Sequence, residues 1–101
     1  MKIKTVLCYG DSNTWGYDAK TRDRFPYDKR WTSILERILG ENFKVIAEGL
    51  CARTTVLDDP YEGENKNGKR YISLILETHR PIDCIILMLG TNDLKTRFSV
   101  S

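Results

Sequence analysis

The residues best suited to chemistry follow directly on a short apolar run near the amino terminus. Val6-Leu7-Cys8 has the composition of a β-strand and leads into Tyr9-Gly10-Asp11-Ser12-Asn13-Thr14-Trp15-Gly16. A strand that breaks at a glycine and delivers a hydroxyl residue is one way in which α/β proteins present a nucleophile at the carboxyl end of a strand. Gly-Asp-Ser also occurs in ordinary turns, where Asp and Ser bond their own backbone. Taken alone, the tripeptide leaves a turn and a nucleophilic Ser12 equally open.

The elements that must position Ser12 alternate between strand and helix. Apolar composition and helical spacing predict a strand over residues 3–9, a helix over 29–39 capped by Asp28, a strand over 43–47, a second helix that stops before Pro81, and a strand over 83–89. Each crossover has the length that a parallel pair of strands requires. The unbroken apolar run of the third strand is typical of burial on both faces, in the middle of a sheet. The sequence therefore predicts an α/β fold with a parallel sheet, three strands and two helices.

A polar or glycine-containing segment follows each predicted strand. The Ser12 segment follows the first, Gly49-Leu50-Cys51-Ala52-Arg53-Thr54-Thr55 follows the second, and Gly90-Thr91-Asn92-Asp93 follows the third. Loops at the carboxyl ends of parallel strands share one edge of the sheet, which is where open α/β sheets bind ligands. We therefore expect a functional site at this edge.

Composition limits the classes of function. The chain has 101 residues, 41% hydrophobic and 30% charged, which is ordinary for one soluble globular domain. Its 16 basic and 14 acidic side chains are interleaved, so neither nucleic acid nor an anionic membrane is an expected partner. The three cysteines, Cys8, Cys51 and Cys84, lack Cys-x-x-Cys spacing and are interpreted as buried free thiols. Free thiols favour a reducing, cytoplasmic location.

Together these segments resemble the SGNH hydrolases, also called GDSL-type esterases and lipases. Gly10-Asp11-Ser12 is similar to the first sequence block of that family, Cys51-Ala52-Arg53-Thr54 to a variant of the second, and Gly90-Thr91-Asn92-Asp93 to the third. Arg30-Trp31-Thr32 and Asp58-Asp59-Pro60 are similar to the arylesterase and acyltransferase branch. The resemblance covers essentially the whole chain. It implies a three-layer α/β/α architecture, the flavodoxin-like SGNH hydrolase fold.

The resemblance also implies an activity and roles for particular residues. The implied reaction is hydrolysis of small carboxylic esters through an acyl-serine intermediate, with acyl transfer to an alcohol as a further activity and no cofactor. Ser12 is then the nucleophile, and three donors bind the oxyanion: the backbone N–H groups of Ser12 and Ala52 and the side-chain amide of Asn92. Asp11 and Trp15, beside the nucleophile, are predicted to contact the substrate.

Two features depart from the family pattern. Ala52 stands where most members have glycine, and because the role needs only a backbone N–H, alanine serves if φ is negative there; Gly49 is the fallback donor. The late Asp-x-x-His block, which supplies the family's general base, does not occur in residues 1–101. The only histidine, His79, ends the second predicted helix. It is expected at the opposite edge of the sheet from Ser12, as a surface residue favoured by the helix dipole.

The missing block implies that residues 1–101 are the amino-terminal part of a single SGNH hydrolase domain. The third strand is then an exposed apolar edge, which residues absent from this chain or a second copy would cover. Without the base, Ser12 is expected to be a poor nucleophile in this chain alone. The alternative interpretation is a non-catalytic fragment that binds ligands or self-associates through that edge. Ester turnover that depends on Ser12 separates the two.

Two further patterns imitate functional motifs. Gly63-Glu64-Asn65-Lys66-Asn67-Gly68-Lys69-Arg70 fits a phosphate-binding loop up to Gly-Lys, but Arg70 replaces the hydroxyl residue that binds magnesium. A solvated loop is the preferred interpretation and a nucleotide-binding module the alternative. Asp58-Asp59 and Glu62 have no histidine nearby and are interpreted as a charged turn, so no metal is predicted. Cys51 has no catalytic Cys-His signature around it and is interpreted as a small packing residue.

Overall fold

The computed structural model describes residues 2–98. The elements in chain order are β1 (Lys4–Gly10), α1 (Ser12–Trp15), β2 (Tyr17–Asp18), β3 (Asp23–Arg24), α2 (Trp31–Leu39), β4 (Phe43–Gly49), α3 (Gly68–His79) and β5 (Cys84–Met88), with 3-10 turns at Tyr27–Lys29 and Thr91–Leu94. The strands β2 and β3 pair as a small antiparallel ribbon, which was not predicted from the sequence. The three predicted strands and two predicted helices are all present as β1, β4, β5, α2 and α3.

The main sheet is parallel, with β1 between β4 and β5. Leu7 of β1 pairs with Ile46 of β4 and with Ile85 of β5. Residues 6–9 of β1 are at most 6% exposed and form the core of the described chain. The predicted parallel sheet is confirmed.

The position of β5 differs from the sequence prediction. Its unbroken apolar run indicated the middle of a sheet, but it lies at the edge, and Ile85, Leu87 and Met88 are 41%, 59% and 42% exposed. Cys84, predicted to be buried, is also exposed there, although all three thiols are free as expected. Within residues 2–98 no strand pairs with the outer edge of β5, and these side chains stay largely exposed on its two faces. The predicted exposed apolar edge is therefore present.

Helices cover both faces of the sheet. On one face α2 packs against β4, where the Glu36 carboxylate accepts the N–H of Val45 at 2.7 Å. On the other face α3 approaches β1, where the Tyr9 hydroxyl donates to the Gly68 carbonyl at 2.7 Å. A cavity of about 320 Å³ between α3 and the sheet is lined partly by Tyr9 and Leu87. The predicted three-layer α/β/α arrangement is confirmed.

The predicted cap of α2 is wrong. Asp28 lies in the 3-10 turn Tyr27–Lys29, and α2 begins only at Trp31, with Arg30 at the cap position and no side-chain cap bond. Pro26, with φ −52° and ψ 149°, starts the 3-10 turn in an extended conformation, and the chain extends again at Arg30 (φ −73°, ψ 143°). This kink separates Asp28 from the first N–H groups of α2.

A cluster of ion pairs joins Asp59, in the long loop after β4, to Lys95 and Arg97 near the carboxyl terminus. The side chain of Asp59 is fully buried, and its carboxylate accepts Arg97 Nε at 2.9 Å and a second guanidinium bond from Arg97 Nη2. Lys95 Nζ lies 3.5 Å from the same carboxylate. Asp58 is exposed, and Asp59 forms the predicted turn, because its carbonyl accepts the N–H groups of Glu62 and Gly63; its carboxylate, however, is buried rather than solvated. The Arg97 hydrogen bonds, acting against burial, lower the pKa of Asp59 from 3.8 to about 2.

The lowered pKa of Asp59 predicts acid-sensitive stability. Because the folded chain holds the Asp59 proton less tightly than the unfolded chain does, this group stabilises the fold above about pH 4, and the contribution is lost as pH falls towards about 2. Asp59→Asn should lower the urea midpoint at pH 7 and flatten its pH dependence between pH 4 and pH 2, as followed by circular dichroism. Asp58→Asn is the matched control and should behave as wild type; equal effects of the two variants would contradict the role of Asp59.

Candidate active site

Ser12 opens a one-turn helix at the carboxyl end of β1. Asp11, only 3% exposed, caps this helix: its carboxylate accepts the N–H of Asn13 at 3.1 Å. Gly16 ends the helix in the left-handed conformation at φ 101°, and its N–H donates to the Ser12 carbonyl at 2.9 Å. A side chain at the start of a capped helical turn is held at a fixed angle to the strand before it. The contacts give Asp11 a structural role, and its contact with substrate stays a prediction.

Two glycines let α1 lie directly on the ends of two strands. A Cβ atom at Gly49 would fall 2.2 Å from the backbone N of Trp15, and one at Gly10 would fall 2.1 Å from Oγ1 of Thr14. Neither separation is compatible with a side chain. The role visible for Gly49 is therefore close approach, which brings Ser12 over the sheet edge.

The second loop is tied to β1 and β4 by a buried arginine. Arg53 is 6% exposed, and its Nη1 donates to the carbonyls of Gly10 at 3.1 Å and Glu48 at 2.7 Å. Its guanidinium lies over the Tyr9 ring, 4.0 Å from the centroid. Burial lowers the pKa of Arg53 from its ordinary value, although the guanidinium remains charged at neutral pH. No role for Arg53 was predicted from the sequence.

The third loop joins the same cluster through two side chains. Asn92 Nδ2 donates to the Arg53 carbonyl at 3.1 Å, and the Asp93 carboxylate accepts both the N–H of Thr55, at 3.0 Å, and its hydroxyl. Gly90 precedes this turn at φ 128°, a conformation that favours glycine. The three strand-end segments therefore meet at one edge, as the sequence predicted.

Ala52 lies between β4 and this cluster in an unexpected conformation. The expectation of a negative φ is wrong, because φ is 69°. Left-handed backbone costs a residue with a Cβ atom about 1–2 kcal/mol, which explains why glycine suits this position. The geometry keeps a backbone N–H at Ala52 that donates to no acceptor among residues 2–98.

Trp15 closes α1 beside the β2–β3 ribbon. Its carbonyl accepts Arg24 Nε at 2.7 Å, and the Arg24 guanidinium lies 4.5 Å from the centroid of its ring. The Trp15 ring is half-buried, as expected for a residue in the wall of a binding site, and its contact with substrate stays a prediction. A cavity of about 260 Å³ beside Ser12 is lined by Asp11, Asn13 and residues 88, 89 and 91.

Neither His79 nor Cys51 is placed to activate Ser12. His79 ends α3 as predicted, but the expectation that it lies at the opposite edge of the sheet from Ser12 is wrong for its side chain: its Nε2 lies 2.6 Å from the carboxylate of Glu48, the next-to-last residue of β4. Glu48 and Gly49 point to opposite faces of β4, and α1 lies against Gly49, so His79 and α1 lie on different sides of the sheet. Burial raises the pKa of the Cys51 thiol, which favours the packing role that the sequence indicated.

The phosphate-loop pattern ends at a helix whose first N–H groups already have acceptors. The N–H groups of Gly68 and Lys69 donate to the carbonyls of Thr54 and Thr55, at 3.0 and 2.8 Å. The third donates to the side chain of Asn67, which caps α3. A phosphate cradle needs such groups free. The solvated-loop interpretation is therefore favoured over a nucleotide site.

Comparison with known families decides the class of protein. Residues 8–101 match the model of the GDSL-like lipase/acylhydrolase family. The chain belongs to this family. The resemblance of its sequence blocks to SGNH hydrolases is thereby confirmed, and the matched segment contains the Ser12, Ala52 and Asn92 loops.

Solved structures agree with this family. A carbohydrate acetylesterase family member from Sinorhizobium meliloti has a TM-score of 0.91 and 50% identity, over 95% of this chain and 45% of that one. The inhibitor-bound aryl esterase of M. smegmatis has a TM-score of 0.87 and 48% identity, over 94% of this chain and 46% of that one. AlinE4, an SGNH-hydrolase family esterase, is 24% identical with a TM-score of 0.73 over 98% of this chain and 46% of that one, and shows the fold alone.

The chain therefore spans about 45% of the length of these solved structures. Comparison with curated proteins found no match. Among residues 2–98, none of the helices has the length and apolar character needed to cross a bilayer. The same residues contain no group of three or more metal-ligating side chains, and the absence of a metal stays a prediction.

The buried position of Arg53 predicts a large loss of stability on substitution. Arg53→Lys keeps the charge but loses the planar guanidinium that stacks on Tyr9 and whose Nη1 donates to two carbonyls, so we expect the free energy of unfolding to fall by about 2–3 kcal/mol. Urea unfolding measures this change. The exposed Arg80→Lys is the matched control and should change the stability by less than about 0.5 kcal/mol. A near-neutral Arg53→Lys would contradict the structural role of the guanidinium.

Proposed function

We propose that this GDSL-family chain carries the nucleophile and the oxyanion hole of a carboxylic ester hydrolase that acts on small esters. The observation that supports this most directly is the 3.1 Å bond from Asn92 to the Arg53 carbonyl. That bond joins the second and third sequence blocks beside the helix that begins at Ser12. The esterase titles of the similar structures favour the same class of reaction.

The proposed reaction has two steps, acylation of Ser12 and hydrolysis of the acyl-serine. Ser12 Oγ attacks the ester carbonyl carbon while a general base takes its proton, and the tetrahedral intermediate collapses by breaking the bond to the alcohol oxygen. The base returns the proton to the alcohol, which leaves an acyl-serine. Water then attacks the acyl carbon by the same route and releases the acid and free Ser12. An alcohol in place of water gives acyl transfer.

Three N–H groups are available to bind the oxyanion. Within residues 2–98 the backbone N–H groups of Ser12 and Ala52 donate to no other acceptor. Asn92 has two N–H bonds on its amide nitrogen, and the Arg53 carbonyl uses one of them, which fixes the orientation of the other. Donors held in place before the reaction lower the barrier by roughly 3–4 kcal/mol each.

We further propose that the general base comes from outside residues 1–101, so that this chain is the amino-terminal part of one SGNH hydrolase domain. The engagement of His79 with Glu48, on the other side of the sheet from α1, supports this. The 45% coverage of the similar structures supports it as well. Residues beyond this chain, or a second copy, would also cover the exposed apolar side chains of β5.

Dependence on Ser12 is the first test. We expect p-nitrophenyl acetate turnover by the full-length product of the gene, much weaker turnover by residues 1–101, and a loss of about 10³-fold or more with Ser12→Ala. A serine-directed phosphonate should label Ser12 by mass spectrometry. Ser73→Ala, an exposed serine of α3, is the control and should keep both activity and label. An inactive, unlabelled full-length protein would favour the non-catalytic alternative.

The role of Asn92 is tested separately. Asn92→Ala in the full-length protein should reduce kcat about 10²–10³-fold with little change in KM, because the lost bond forms mainly in the transition state. Asn92→Asp should be at least as impaired, since a carboxylate accepts rather than donates. Asn67→Ala, at the cap of α3, is the control and should keep kcat while lowering stability by about 1 kcal/mol. An unchanged kcat in Asn92→Ala would contradict the proposed role of Asn92 in the oxyanion hole.

A further inference from the structure

Asp93, the last residue of the third sequence block, has no role in the ester chemistry proposed above. It lies in the 3-10 turn Thr91–Leu94, directly after Asn92, whose amide is one of the proposed oxyanion donors. The cap residue of this turn, Gly90, makes no side-chain cap bond, and no atom beyond its chain neighbours lies within 4 Å of the position that a Cβ atom there would take. Because a short 3-10 turn has poorer hydrogen-bond geometry than an α-helix, contacts with other segments decide where Asn92 points.

The Asp93 carboxylate supplies such a contact with both of its oxygens. Oδ1 accepts the backbone N–H of Thr55 at 3.0 Å, and Oδ2 accepts the hydroxyl of the same residue. Hydrogen bonds to an ionised carboxylate are shorter and stronger than those between neutral groups. Among residues 2–98 no cationic side chain lies within 4.0 Å of this carboxylate. Its described partners thus belong to one residue, and paired bonds to one residue fix orientation as well as distance.

Thr55 is a fixed anchor for this contact. Its carbonyl accepts the N–H of Lys69, in the first turn of α3, at 2.8 Å. The preceding residue, Thr54, is fully buried, and its N–H donates to the Lys66 carbonyl at 2.7 Å. The main chain at 54–55 is therefore bound both to the loop before α3 and to α3 itself. Through Asp93, the turn that carries Asn92 is tied to the start of a 12-residue helix.

Two adjacent side chains of the turn bind two points of the second sequence block. Asn92 Nδ2 donates to the carbonyl of Arg53 at 3.1 Å, and Asp93 binds Thr55, two residues further along. Ala52, whose backbone N–H is another proposed oxyanion donor, directly precedes Arg53. Together the two contacts fix the Asn92 amide relative to the Ala52 N–H. The bond to Arg53 alone would not do so, because a single hydrogen bond leaves the turn free to rotate about it.

We propose that Asp93 is a positioning residue of the oxyanion hole. The Asp93–Thr55 clamp, defined as the two hydrogen bonds from Thr55 to the Asp93 carboxylate, holds the second N–H of Asn92 where the oxyanion forms, and Asp93 itself does not touch the substrate. This role rests on the proposed function, since Asp93 has an amide to position only if Asn92 binds the oxyanion. Oxyanion donors act because they are aimed before the reaction begins, so a displacement of about 1 Å can cost about 10²-fold in rate.

Substitutions at both ends of the clamp test it in the full-length product of the gene. Asp93→Ala removes both bonds and should reduce kcat for p-nitrophenyl acetate about 10–10²-fold, with KM within about twofold of wild type. Asp93→Asn keeps the shape and one acceptor, so its kcat should lie between those of wild type and Asp93→Ala. Thr55→Val removes only the hydroxyl and should reduce kcat about three- to tenfold, whereas Thr55→Ser retains the hydroxyl and should stay within about twofold of wild type.

A double-mutant cycle distinguishes positioning from a merely structural effect. If Asp93 acts through the Asn92 amide, Asp93→Ala should change kcat by no more than about twofold in an Asn92→Ala background, although it costs about 10–10²-fold in the wild type. Full multiplication of the two losses would show that Asp93 affects the rate by another route and would overturn the proposal. Thr55→Val in the Asn92→Ala background repeats the test with an isosteric change, in case Asp93→Ala does not fold.

Asp83 offers a matched control at the other edge of the sheet. Its carboxylate also accepts a backbone N–H, that of Thr5, at 2.7 Å, but it lies at the amino ends of the strands. Asp83→Ala should therefore lower the urea midpoint while kcat stays within about twofold of wild type. An unchanged kcat in Asp93→Ala, together with the expected loss in Asn92→Ala, would overturn the role of Asp93 alone. An unchanged kcat in Asn92→Ala would overturn the oxyanion role of Asn92 and the positioning role together.

Discussion

The buried guanidinium of Arg53 is the interaction on which the site edge of this GDSL-family chain depends. Its side chain donates to carbonyls at the ends of β1 and β4, and its own carbonyl receives the Asn92 amide from the loop after β5. One residue thus contacts all three strand-end segments. Among the described residues no carboxylate forms a direct ion pair with it; two carbonyls and the face of Tyr9 contact the guanidinium, and the nearby carboxylates of Glu48 and Asp11 favour its charge. The guanidinium suits this arrangement because it is planar and always charged, so it stacks on Tyr9 while its Nη1 donates to two carbonyls.

The site edge also depends on two glycines, which leave the ends of β1 and β4 without side chains. Gly10 and Gly49 pair with each other across β1 and β4, and both lack the side chain that would hold α1 away. The helix α1 therefore begins at Ser12, with only Asp11 between it and the end of β1, so Ser12 follows almost directly on a buried strand. Polar capping by Asp11 then fixes the single turn, which is too short to be stable by itself.

Much of this arrangement follows from sequence pattern. Long periodic segments and buried β-branched runs set the strands, the two longer helices and the parallel order, and the glycine-polar segments after each strand located the site edge. Three features did not follow. The exposure of β5 depends on which strands lie beside it, the start of α2 depends on a 3-10 turn after Pro26, and the φ of Ala52 depends on the path from β4 to Arg53. Each is set by tertiary context, which local propensity does not contain.

Arg53 and Asp59 were missed for a related reason. Charged residues in polar loops are usually solvated, so sequence alone favours a surface position for both. Here Asp59 is buried against Arg97, and Arg53 against two strand-end carbonyls, and these contacts make the long loop between β4 and α3 a fixed part of the site edge. Because the proposed oxyanion donors are mostly backbone groups, their positions depend on how rigidly such loops are held. These contacts lie within residues 2–98, so the proposed nucleophile and the proposed donors belong to a chain that spans less than half of the similar esterases.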